Sequence, residues 1–297
     1  MPLVPTRLLM ADAQAAGRGL GAFNVLHLET AEGLTAAAER TSLPVILQIS
    51  ENCVRYHGAF EPIAAATLAV ARSSAAPVAV HLDHATDEAL ARAAVDLGFG
   101  SVMFDASALE YEQNVAATAR VAAYAREAGV YVEGELGKIG GKDGAHAPGV
   151  RTDPDEAARF VAETGVDALA VAVGSSHAMK DRTAALDLDL IARLAERLTV
   201  PLVLHGSSGV PDEEIARAVR AGMTKINVST HLNGFFTRAV RTYLAANPDA
   251  VDSRRYVAAG REALAGEAAR LLTLFAGGRP SQPTAADSIH DSGETHD

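Results

Sequence analysis

Three histidines, His84, His177 and His205, stand where apolar, β-rich runs give way to polar residues, in "VAVHLDH", "ALAVAVGSSH" and "LVLHG". A lone histidine in such a place is ordinarily a hydrogen-bonded structural residue. Three imidazoles brought to one mouth with a coordination position left open make a catalytic Zn2+ site. Asp83, next to His84, suits a proton carrier facing the substrate; helix capping is the competing role, and Thr86 already fills it. Asp105 and Glu135 close neighbouring runs and either orient a histidine or hold a second cation. His81 precedes His84 by an odd number of residues, so a continuing strand points the two to opposite faces. That leaves His84 as the ligand and gives His81 a core or supporting role. His27, His57, His146 and His231 fall in loops or helix starts and are assigned to solvated or rim positions.

A second chemistry is written in "HGSSG", from His205 to Gly209. Backbone N–H groups and hydroxyls in a glycine-containing turn just ahead of a helix suit a phosphate. "INVST" on the following run falls where many barrels complete such a site.

These residues must be positioned by the elements around them. Eight short β-rich runs recur: "GAFNV" from Gly21, "PVILQIS" from Pro44, "VAVHLDH" from Val78, "SVMFD" from Ser101, "YVEGELG" from Tyr131, "ALAVAVG" from Ala168, "LVLHG" from Leu202 and "KINVST" from Lys225. Each is followed by a stretch of helical periodicity, the alternation of a parallel sheet. Helix starts are visible at Thr86, Asp153-Pro154 and Pro211, and stops at Gly98, Gly165 and Gly222. No G-x-G-x-x-G follows "GAFNV", so a closed (β/α)8 TIM barrel with an extra C-terminal helix is expected rather than an open nucleotide-binding sheet. Residues 1–275 form a single barrel in this reading, and 276–297, polar and poor in apolar residues, a disordered tail. In such a barrel the active site lies at the strand C-termini, where the polar residues above collect. The lysines are Lys138, Lys142, Lys180 and Lys225. Lys225 opens the eighth run, at the wrong end of the barrel, and the others lie in loops, with Lys138 the nearest candidate. An imine mechanism is therefore disfavoured.

Bulk properties bound the partners. With 297 residues and 48% apolar content the chain can bury a barrel-sized core. A net charge of −11, spread rather than clustered, argues against nucleic acid and anionic membrane. The single cysteine, Cys53, excludes an internal disulfide. The N-terminus lacks a basic segment followed by a long apolar one, and no apolar run reaches the roughly 18 residues of a span. A cytoplasmic protein is expected.

Taken in order, "GAFNV", "HLDH", "SVMFDAS", "VEGELG", Gly140-Gly141, "ALAVAVGSSH", "PLVLHGSSG" and "KINVST" closely resemble the class II ketose-bisphosphate aldolases, from about Leu3 to Phe275. The resemblance implies Zn2+ on His84, His177 and His205, with a monovalent cation as a further cofactor. It makes Asp83 the group that exchanges the proton of the C4 hydroxyl, and gives Asp105 and Glu135 supporting or second-cation roles. It puts Asn24, Gly206, Ser208, Asn227, Ser229 and Thr230 on the substrate, the last two around a phosphate, and Ser50 at a phosphate as well. The implied reaction is reversible cleavage of a ketose 1,6-bisphosphate, fructose first and tagatose or another phosphoketose second, in a homodimer or homotetramer. The chain departs from the pattern in three places. In "GGKDGAH", Asp143 is the nearest match to a loop glutamate that moves a carbon-bound proton. Ala178 replaces a glycine after His177, so that Lys180 or Arg182 becomes a candidate for the phosphate. "DSRRY" supplies Arg254 and Arg255 near the distal phosphate. The competing readings are a non-catalytic phosphosugar-binding barrel, which retention of every ligand and of Asp83 opposes, and metal-dependent hydrolysis, which the phosphate-binding turns oppose.

Overall fold

The computed structural model describes residues 3–136, 151–175 and 181–277. Helix α1 (Thr6–Ala15) leads into β1 (Leu20–Asn24), α2 (Leu28–Thr41), β2 (Val45–Ser50) and two helices, α3 (Glu51–His57) and α4 (Glu61–Ser73). Next come β3 (Val78–Ala85), α5 (Glu88–Asp96), β4 (Ser101–Phe104), α6 (Tyr111–Glu127) and β5 (Tyr131–Glu135). After them follow α7 (Pro154–Thr164), β6 (Ala168–Ala170), α8 (Leu188–Arg197) and β7 (Leu202–Leu204). The described chain ends with α9 (Asp212–Arg220), β8 (Met223–Val228), α10 (Thr230–Ala246) and α11 (Ser253–Phe275). Each strand pairs in parallel with the next and β8 with β1, closing the expected (β/α)8 barrel. Helix α11 is the expected additional C-terminal helix, and packs on α2 and α10.

Strand alternation sorts the side chains into two cores. One face of each strand, including Phe23, Leu47, Val80, Val102, Val132 and Leu204, packs on the helices. The other face fills the barrel, where Leu20, Ala22, Ile46, Ala79, Met103, Tyr131, Ala170 and Val203 form an apolar floor. Leu9, Met10 and Ala13 of α1 plug that floor from below. The sequence reading does not anticipate α1. Above the floor the same inward parity delivers Asn24, Gln48, His81, Asp83, Glu133, Glu135, His205 and Asn227, so polar groups stack on the inner face toward the strand C-termini.

Three local expectations are corrected. Asp87, not Thr86, caps α5: its carboxylate accepts the N–H of Ala89 at 2.8 Å, whereas Thr86 donates its backbone N–H to Glu51 at 2.6 Å. Strand β8 begins at Met223, so Lys225 is internal to the strand and pairs in register with inward-facing Val203. The ladder of β6 stops at Ala170: Val171 still donates its N–H to Val203 of β7 at 3.3 Å, but the N–H and C=O of Ala172, on the side facing away from β7, are taken by Thr152 at 2.8 and 3.0 Å.

The chain then turns sharply at Gly174, whose φ is +117° and whose Cβ, if present, would lie 2.6 Å from the carbonyl oxygen of Ala185. Gly174→Ala should therefore destabilise the fold by about 1–3 kcal/mol, read from the urea unfolding midpoint.

Candidate active site

His84 owes its place to a break in the strand. Regular alternation would carry it to the outer face with Leu82, but the register of β3 against β4 shifts between Leu82 and Ala85, and His84 adopts φ +51°. Such a left-handed residue other than glycine is strained and persists where the surroundings fix it. The bulge puts Asp83 and His84, neighbours in sequence, on the same side.

There His84 meets carboxylates. Its Nδ1 lies 2.9 Å from Asp105 Oδ2 and 3.8 Å from Glu135 Oε2. Asp105 is itself fixed by the backbone N–H and hydroxyl of Ser107, at 3.1 and 2.6 Å. Burial opposes charge on the ring, but Asp83, Asp105 and Glu135 outweigh it and raise the His84 pKa from 6.5 to about 10. Burial likewise works to raise the Asp105 carboxyl, yet His84 and Ser107 hold it well below its ordinary range.

His205 is arranged the same way. Its Nε2 is 2.8 Å from Glu133 Oε1, and its Nδ1 is 2.9 Å from His84 Nε2. Glu133, 1% exposed, also accepts from Lys225 Nζ at 2.7 Å. Removing either member of that ion pair would leave a buried charge, at a cost of about 3–5 kcal/mol.

A carboxylate thus holds one nitrogen of each imidazole and aims the other at the second ring. The ligand atoms of Asp83, His84 and His205 lie within 4.8 Å of one another, as do those of His84, Asp105 and Glu135. Two converging imidazole nitrogens, each backed by a carboxylate on the far side of its ring, are the donor set and support that a divalent cation such as Zn2+ takes. The residues fit such an ion. His177, the third expected ligand, and Asp143, the expected loop acid, lie outside the described residues, as do Lys138, Lys142, His146, Ala178 and Lys180.

Beside this pair Asp83 is held by amides. Asn24 Nδ2 donates to Oδ2 at 3.1 Å, Gln48 Nε2 lies 3.4 Å from the same oxygen, and Asn227 Nδ2 is 3.4 Å from Oδ1. Gln48 Oε1 and Asn227 Oδ1 are buried and make no hydrogen bond among the described residues, leaving acceptors at the site for a hydroxylated ligand. Gln48, Glu133 and Lys225 carry no assigned function in the sequence reading. The available signal is parity: each stands two residues from an inward-facing polar neighbour, Ser50, Glu135 and Asn227.

The turn after β7 is the segment that the sequence reading assigns to an anion. Gly206, at φ +68°, opens the 3-10 turn Ser207–Gly209. Ser208 Oγ accepts the backbone N–H of His231 at 3.2 Å and of Ser229 at 3.4 Å, which docks the turn on the N-terminus of α10. Ser229 occupies the N-cap position of that helix without a side-chain capping bond, and Thr230 begins it. Ser50 is less available, because its hydroxyl caps α3 by accepting the N–H of Cys53 at 3.2 Å. His231 is no solvated rim residue: its Nε2 is 2.6 Å from Glu267. Arg182 is committed to the carbonyl of Val210 at 2.9 Å and to Asp212 at 2.6 Å. Arg254 closes on Asp252 at 2.9 Å and is 90% exposed.

A closed parallel barrel that brings imidazoles, carboxylates and a glycine-containing turn to one mouth has the architecture of a barrel enzyme with residues able to hold a metal ion. Residues 4–278 match the family described as fructose-bisphosphate aldolase class-II. The chain is 39% identical to the fructose-bisphosphate aldolase of Geobacillus stearothermophilus over 89% of its own length and 93% of that protein. It is 35% identical to the sulfofructosephosphate aldolase of Alkalicoccus urumqiensis, over 93% and 97% of the two chains. Among solved structures, the YdjI aldolase of Escherichia coli K12 superposes with a TM-score of 0.81 at 31% identity, covering 92% of this chain and 97% of that one. The chain belongs to the class II fructose-bisphosphate aldolase family and is an aldolase, a carbon–carbon lyase. Members of that family are generally metal-dependent.

In the metal-free protein His84 is charged near neutral pH, and a cation must displace its proton. The stability that this charge contributes is complete below about 6.5 and fades as pH rises through about 10. Zinc binding near neutral pH should accordingly release about one proton, measured by titration calorimetry in buffers of different ionisation enthalpy, and the release should vanish above the His84 pKa.

Proposed function

We propose that the chain cleaves fructose 1,6-bisphosphate reversibly to dihydroxyacetone phosphate and glyceraldehyde 3-phosphate. The observation that carries this reading is the conjunction, at one barrel mouth, of Asp83 in its amide cradle, the facing His84 and His205, and the anion-binding turn at Gly206–Ser208.

His84 and His205, with His177 as third ligand, would hold Zn2+. When bound, the ion supplies an electrophile for the electron density left as the C3–C4 bond breaks. Asp83 takes the C4 hydroxyl proton in cleavage and returns it in condensation, and Asn24, Gln48 and Asn227 fix the carboxylate for that exchange. Asp105 orients His84, with Glu135 beside it as a supporting group or second-cation ligand. Gly206, Ser208, Ser229 and Thr230 bind the dihydroxyacetone-phosphate half by backbone N–H groups and hydroxyls, with the α10 N-terminus favouring the anion. Asn227 and Ser50 complete the substrate contacts, a monovalent cation assists at the phosphate, and Asp143 moves the carbon-bound proton.

Family membership is also the support for proposing a homodimer or homotetramer in the cytoplasm, with 1–275 as one barrel domain and 276–297 as a tail. Among the described residues no helix is long and apolar enough to cross a membrane. Tagatose 1,6-bisphosphate differs from fructose 1,6-bisphosphate only in the C4 configuration, next to Asp83, and is the comparison substrate. The resemblance to a sulfofructosephosphate aldolase makes a sulfonated ketose phosphate the other one to assay.

The test is steady-state cleavage of these substrates by zinc-loaded and chelator-treated protein, with hydrogen exchange into dihydroxyacetone phosphate in heavy water. Fructose 1,6-bisphosphate should be cleaved with the highest kcat/KM, and chelation should abolish both activities until zinc is returned. Absence of metal-dependent exchange would overturn the reading. Asp83→Asn should lower kcat by roughly 100- to 10,000-fold while zinc content stays unchanged. Ser208→Ala, which removes the tie between the anion-binding turn and α10, should raise KM more than it lowers kcat.

A further inference from the structure

A polar column runs down the barrel axis beneath the mouth. From His205 it passes to Glu133 at 2.8 Å and to Lys225 at 2.7 Å. It continues to His81 Nε2 at 3.4 Å, from His81 Nδ1 to Ser101 Oγ at 2.8 Å, and from Ser101 Oγ to Thr6 Oγ1 of α1 at 2.8 Å. His81, Ser101, Glu133, His205 and Lys225 are all 2% exposed or less, so the column is shielded from bulk solvent.

The direction of each bond follows from what each group can do. An ammonium only donates, so Lys225 fills one oxygen of Glu133 and lends a hydrogen toward His81 Nε2. His81 then accepts at Nε2 and carries its proton on Nδ1, donating to Ser101, whose hydroxyl passes its own hydrogen to Thr6. Burial and the Lys225 charge both push the His81 pKa well below its ordinary range, which agrees with a neutral ring. On the other side, a carboxylate paired with Lys225 is acceptor only. Its second oxygen must receive a hydrogen from His205 Nε2, which leaves the Nδ1 lone pair pointing at His84.

We infer that Lys225 is a positioning residue for the metal site: through Glu133 it fixes His205 in the tautomer whose Nδ1 can bind the cation. This rests on the proposed metal site and adds a residue two layers below it. Without Lys225, Glu133 loses the donor that fixes its second oxygen, so the carboxylate is free to swing away from His205 Nε2 and the ring is no longer held with its Nδ1 lone pair at the metal position.

Two measurements test this. In metal-free wild type, long-range 1H–15N spectra of the imidazoles should show His205 with its hydrogen on Nε2 and His81 with its hydrogen on Nδ1. The opposite tautomer at His205 overturns the inference without any variant. In the second, zinc dissociation constants are obtained by chelator competition for wild type, Lys225→Met, Lys225→Arg, Glu133→Gln and the Lys225→Met/Glu133→Gln double variant. Lys225→Met should weaken zinc by roughly 10- to 100-fold, and Lys225→Arg, which still donates to Glu133, should recover most of it. The double variant should bind within about twofold of Glu133→Gln alone, because the lysine acts only through the carboxylate. Unchanged affinity in Lys225→Met, or losses that multiply in the double variant, would reject the role of Lys225 and leave the metal site standing. A wild type that binds no zinc would instead remove the metal site, and this inference with it.

Discussion

The structure depends on pairing every ionisable group that the barrel encloses. A carboxylate or an imidazole inside a closed sheet cannot rely on water, and each must find a partner of opposite charge or complementary hydrogen-bonding capacity. Asp105 and Glu133 meet that demand for His84 and His205, and in doing so decide which nitrogen of each ring faces the centre. The geometry of a cation site thus emerges from the same bonds that make the interior tolerable. The apolar floor below, closed by α1, confines the polar groups to the mouth end and to one column along the axis.

The side of the mouth after β7 is built differently, on helix ends. Its turn is tied to α10 by Ser208, and α10 is tied to α11 by His231 and Glu267. Arg270 bridges Glu267 and Asp212 at the start of α9, and Arg182 reaches the same aspartate. Helix α11 therefore does more than cover the barrel: it carries the carboxylate and guanidinium that connect the elements flanking the Ser207–Gly209 turn.

Much of this was legible in the residues. The switch between strand and helix periodicity marks all eight units, and the polar residues closing the strands point to the mouth because barrels place chemistry there. Asp83, His84 and His205 are brought together as that reasoning requires. The misreadings share one cause, which is that local composition does not reveal register. Lys225 looks like the start of a strand because "MTK" is not distinctively β-rich, yet pairing with Val203 draws it into the barrel. Thr86 looks like a cap, but Glu51 reaches across from the start of α3 to claim it, and Asp87 takes over. Glu133 is visible as a strand residue, but its partner lies 92 positions away.

The irregularity in β3 has a consequence for how the chain can vary. Strict alternation would force consecutive residues apart, one toward the barrel interior and one toward the helices. By spending a left-handed residue at His84, the strand lets a carboxylate and an imidazole arrive at the mouth as an inseparable pair. Lengthening or shortening β3 by one residue upstream of the kink would exchange the inner and outer faces for both together, so a single insertion or deletion there would turn Asp83 and His84 away from the mouth at once.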